Sequence, residues 1–119
     1  MMKMNMKTRL RGNVVKTVKV TAVFNHLAHF FAVIKAHSVL GKPLPWYEVY
    51  HFGTGLLVPG VKVRKGYFYD PSKGGRSPAS VKEAIKGTIK VFKDPRHREV
   101  LRDLKNPYDL NDPGEAGLL

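Results

Sequence analysis

The sequence predicts a single α+β domain: an N-terminal basic arm and amphipathic helix, a small antiparallel β-hairpin-like region, two consecutive C-terminal helices and an extended acidic tail. Three observations predict it. Apolar residues recur at helical spacing after His26 and again after Ser80. An alternating apolar-basic run begins at Val61 and is bounded by glycine and proline. Charge is segregated along the chain, with every acid absent before Glu48 and every base absent after Lys105. A chain of 119 residues has room for one modest core, and a hydrophobic share of 43% is enough to build it. The expected organisation is a basic arm over residues 1–13, the domain over 14–105 and the acidic tail over 106–119.

The elements follow in order. Between Val14 and Phe24 the pattern is ambiguous: Val18, Val20, Ala22 and Phe24 alternate as in a strand, yet the run also continues a helical stripe. From His26 onward Leu27, Phe30, Phe31 and Ile34 fit a helix, with Asn25 as N-cap and Gly41 as the stop before Pro43 and Pro45. Residues 46–52 are aromatic-rich and fit either a short strand or a helical turn. Gly53, Gly55, Pro59 and Gly60 punctuate turns, and residues 61–69 read as a strand with Val61 and Val63 on one face. Residues 70–78 carry loop composition.

The clearest element starts at Ser80. Ser80 and Glu83 have capping-box spacing, in which the Ser hydroxyl takes a backbone N–H three residues on. Val81, Ile85, Ile89 and Phe92 form an apolar stripe, and Lys82, Lys86, Lys90 and Lys93 form a basic one beside it. Asp94 and Pro95 then cap and open a second helix, with Val100, Leu101 and Leu104 expected inward and Arg98, Arg102 and Lys105 outward. Asn106-Pro107 stops it.

The charge balance carries the functional expectation. Lys and Arg number 21 against 9 Asp and Glu, a formal net charge of +12. Such an excess repels itself in a compact chain, and an anionic partner relieves it. Nucleic acid suits best, because each neutralised phosphate releases counterions. The expected contacts are Lys7, Arg9, Arg11 and Lys16 of the arm; Lys62, Arg64, Lys65 and Tyr67, where bases and a ring adjoin; Lys73 and Arg76 of the Gly-rich loop; and the helical Lys82, Lys86, Lys90, Lys93, Arg98 and Arg102. RNA is expected ahead of DNA. The role expected is a non-enzymatic structural subunit of a ribonucleoprotein such as a ribosome, or of a virion, alongside other protein subunits. Its expected location is intracellular (cytoplasm or organellar matrix) or within a virion, and not secreted. The alternatives are a protein–protein connector subunit, as in a phage head-tail junction or a membrane-complex accessory, and a small metal-free ribonuclease with His51 as base.

Several classes lose support. Without cysteine there are no disulfides, thiolate nucleophiles or Cys-based zinc sites. The most apolar window, residues 21–40, contains Asn25, His26, His29, Lys35 and His37 and is a poor membrane span. Lys65-Gly66-Tyr67 resembles the opening of the RNA-recognition motif's strand signature, but Phe68 fills the small-residue position and Asp70-Pro71 ends the run. The Ser72–Ser77 loop lacks Walker spacing. Neither paired carboxylates nor a nucleophile triad can be assembled, so no cofactor, metal or catalytic residue is expected.

Overall fold

The computed structural model describes residues 2–7, 15–38, 40–58, 61, 67–70, 75–104 and 110–118. Its elements are β1 (Lys3–Lys7), β2 (Val15–Lys19), β3 (Ala22–His26), β4 (His29–His37), β5 (Pro43–His51), β6 (Tyr67–Asp70), β7 (Gly75–Pro78), α1 (Val81–Val91) and α2 (Pro95–Asp103). All strand pairings are antiparallel: β1 with β2, β3–β4–β5 in a central sheet, and β6 with β7.

The central sheet overturns the expected helix-led layout. Within residues 26–40, read as a helix, His26 ends β3, Leu27 and Ala28 form a tight turn and His29–His37 form the middle strand β4. The cause is burial on both faces. Phe31 and Val33 pack into one core cluster with Val49, Ala84, Phe92 and Leu101. Ala32 and Ile34 pack into another with Met4, Val20, Tyr50 and Phe52. A strand covered on both sides needs a continuous apolar run, and Phe30-Phe31-Ala32-Val33-Ile34 supplies one that also satisfies helical spacing. Aromatic and β-branched side chains favour the strand.

The helices cover one face of this sheet and the β1–β2 hairpin covers the other. Residues expected as an arm are thus the strand β1, with Met4 only 2% exposed. Val20 N–H donates to Met2 O and Thr21 N–H to Val33 O, so the chain passes from the hairpin into the sheet at a bend. The tail is not extended either. Residues 113–117 form turns, and Ala116 and Leu118 pack on the hairpin-side cluster. Residues 75–78, expected as loop, form β7.

Two turns are set by backbone geometry. β3 and β4 join through Leu27 and Ala28, whose φ angles of +53° and +63° are the left-handed pair required by a two-residue hairpin. Gly55 has φ +67° and lies against β1: a Cβ there would stand 2.7 Å from Asn5 O and 3.0 Å from Met6 Cα. Only glycine fits both the angle and the space.

The C-terminal helices start where the caps indicate. Glu83 N–H donates to Ser80 Oγ at 3.1 Å, and Arg96 N–H donates to Asp94 Oδ1 at 2.9 Å. Of the expected inward stripe, Val81, Ile85 and Phe92 pack on the helix-side core, but the most buried residues are Ala84, Gly87 and Thr88, and Ile89 is exposed. The Thr88 hydroxyl is satisfied by donating to Ala84 O at 2.8 Å. On α2, Leu101 is buried, but Val100 is 60% exposed, contrary to the inward position expected of it.

Candidate functional site

The cationic surface is built on α1. Lys82, Lys86 and Lys90 recur every four residues, so each lies about 6 Å further along the axis and about 40° further round. Lys93 follows just past the helix end, and all four side chains are exposed. None of them forms an ion pair among the described residues. Like charges at this spacing repel by a few tenths of a kcal/mol per pair.

The second helix adds less. Arg98 is exposed and without an ion pair among the described residues, while Arg102 stands 3.8 Å from Glu99. Arg96 is held by Asp94, Nη2 to Oδ2 at 3.0 Å, and its guanidinium keeps the Asp94 carboxyl below its ordinary range.

A smaller basic patch lies on the hairpin. Lys3 stands directly opposite Lys19 across the β1–β2 ladder, and both are exposed. Lys16 is exposed too, but its register opposite the core-packed Met6 sets it on the other face of the hairpin; Lys7 is the last residue of β1. Like charges placed opposite each other weaken a strand pair, so Lys3 and Lys19 join the candidate residues although charge counting along the chain did not single them out. The period-two order of Lys3, Asn5 and Lys7 was the available signal. Tyr67 and Arg76 occupy β6 and β7, whereas Arg9, Arg11, Lys62, Arg64, Lys65 and Lys73 lie outside the described residues.

A different kind of constellation sits at the end of the sheet. Phe31 and His51 are opposite on β4 and β5, and His29 lies two residues along on the same face. Thr54 N–H donates to His51 Nδ1 at 3.3 Å, so Nδ1 must be the unprotonated nitrogen. The Thr54 hydroxyl donates to the same atom at 2.9 Å and accepts from Leu56 N–H at 3.4 Å. His51 Nε2–H therefore donates to His29 Nδ1 at 2.9 Å. Burial first, and then the neighbouring His29, push the His51 pKa down from 6.5 to about 4. With both ring nitrogens engaged inside the chain, His51 is poorly placed as the base of a ribonuclease. His26 and His29, expected three apart on a helix, instead face each other across the β3–β4 turn. Among the described residues no group of three or more metal-ligating side chains is assembled.

Next to His51, a cavity of about 230 Å³ opens between α2 and residues 56–58. Its walls include Phe31, Phe92, Leu101 and Leu104, with exposed Leu56 and Val100 also lining it. His97 lines it too, with Nδ1 donating to Val91 O at 3.0 Å. Among the described residues, no helix is long and apolar enough to cross a membrane. The chain matches no protein-family model, no curated protein and no solved structure.

Proposed function

We propose that this protein is a non-enzymatic structural subunit of a nucleic-acid-containing assembly, a ribonucleoprotein or a virion, and that it holds the phosphate backbone of RNA in preference to DNA. The observation that carries this reading is the row of Lys82, Lys86 and Lys90 on α1 with Lys93 just past its end: exposed, unpaired among the described residues and backed by a helix face fixed in the core. Phosphates laid along that row would replace mutual repulsion by attraction, without any reading of base sequence. Arg98 and the hairpin lysines extend the same chemistry.

The test is fluorescence anisotropy with a labelled RNA and a labelled DNA duplex between 50 and 300 mM salt. Binding should weaken steeply with salt. Changing Lys82, Lys86, Lys90 and Lys93 to glutamine should lower the log–log slope by about 3–4, close to one per lost phosphate contact. A flat salt response, or an unaltered slope in that variant, would refute the reading. A second reading, a protein–protein connector subunit, is favoured by Leu40, 87% exposed in the β4–β5 turn, and by exposed Val100, neither of which the core uses. It requires assembly with protein and indifference to nucleic acid.

A further inference from the structure

We infer that the acidic tail over residues 110–118 is a built-in competitor that screens the basic hairpin from phosphate; this rests on the nucleic-acid reading above. The tail is fastened to β1 by one side chain. Asn111 Oδ1 accepts from Asn5 N–H at 2.8 Å, and its Nδ2 donates to Asn5 O and to Phe52 O, each at 2.7 Å. Leu110 N–H and Asn111 N–H both donate to Gly53 O, at 2.6 and 3.0 Å. Leu118 N–H donates to Pro113 O at 2.8 Å, so the following residues fold into a compact turn instead of running into solvent.

This fastening brings Asp112 and Glu115 to the hairpin's charged face. Together with Lys3, Asn5 and Thr17 they line a polar cavity of about 260 Å³. Neither carboxylate stands within ion-pair distance of Lys3, so the lysine remains open to a phosphate. Attraction beyond ion-pair distance is salt-sensitive, and an RNA backbone, with more charge per length, would outcompete two carboxylates. Lys3 also stands opposite Lys19, and an anion beside Lys3 offsets the modest repulsion of two like charges across a ladder whether or not nucleic acid is bound.

The decisive variant is Asp112→Asn/Glu115→Gln in the full chain. It removes both charges and keeps the Asn111 clasp, and an amide at 112 still accepts the Gly114 N–H that Asp112 Oδ1 now takes at 2.8 Å. RNA affinity at 50 mM salt should tighten roughly three- to tenfold, with a salt slope steeper by about one, and the gain should disappear when Lys3→Gln is added. Unchanged affinity in the double variant, while glutamines on α1 still weaken binding, would overturn this inference and leave the proposed function standing. A gain of equal size without Lys3 would also overturn it, as a general charge effect. If the unmodified protein binds no RNA at any salt, the proposed function and this inference fall together.

Discussion

Acidification should destabilise this fold through one imidazole. His51 is 5% exposed, and its neutral form is written into the network: Nδ1 accepts from the Thr54 N–H and hydroxyl, while Nε2–H donates to His29. A proton added at Nδ1 confronts the Thr54 N–H that donates to it, and one added at His29 Nδ1 confronts the His51 donor. In the unfolded chain the same imidazole titrates near 6.5, whereas in the fold it titrates at about 4. The folded state therefore binds fewer protons between those values. Its contribution is fully present above pH 6.5, declines as pH falls toward 4, and levels off below. At 1.36 kcal/mol per pKa unit the loss is roughly 3 kcal/mol, a large part of the roughly 5–15 kcal/mol that holds a domain together. Urea unfolding followed by the fluorescence of Trp46, the single tryptophan, at pH 7.5, 6.5, 5.5 and 4.5 measures it. The His51→Asn variant keeps an acceptor near Thr54 and has no proton to gain at that position. Its stability should start lower at pH 7.5 and fall by about 3 kcal/mol less on acidification. Parallel pH profiles for the two proteins would refute the reasoning, because carboxylates elsewhere would then account for the acid sensitivity.

Two further changes test the turns. Gly55→Ala sets a Cβ 2.7 Å from the Asn5 carbonyl at a φ of +67°; the angle and the contact together should cost at least ~2 kcal/mol and lower the melting temperature by about 8 °C or more in calorimetry. Leu27→Asn combined with Ala28→Gly supplies residues that tolerate positive φ in the β3–β4 turn and should raise stability by about 1–2 kcal/mol in urea titrations; no gain would mean that the Leu27 and Ala28 backbones are not strained.

The sequence is most legible where structure is local. Helix α1 begins at Val81 because Ser80 and Glu83 make their own cap, and α2 begins at Pro95 for the same kind of reason. Lys82, Lys86 and Lys90 were legible with it, since helical period alone sends them to one side; Lys93 lies past the helix end. The central sheet was not. Residues 30–34 are apolar without a break because two layers cover β4, and nothing within those residues states that the first and last segments of the chain supply one of the layers. Ile89 was misplaced for a related reason: Ala84, Gly87 and Thr88 let α1 sit close to the sheet on a face that hydrophobicity alone does not mark. The His29–His51–Thr54 network was illegible because it depends on the β4–β5 register, which only the assembled sheet fixes.

The Asn5–Asn111 clasp joins residues 106 apart in the chain, so it is a contact that folding reaches late. Closing so large a loop is entropically cheap per added residue but slow to search, and among the described residues β1 has β2 as its ladder partner while its other edge is met by the Asn111 side chain. During synthesis the outer edge of β1 therefore waits for its cover until Asn111 has left the ribosome. A nascent chain arrested before Asn111 carries an unguarded strand edge, the feature by which unfinished β-rich proteins find the wrong partner.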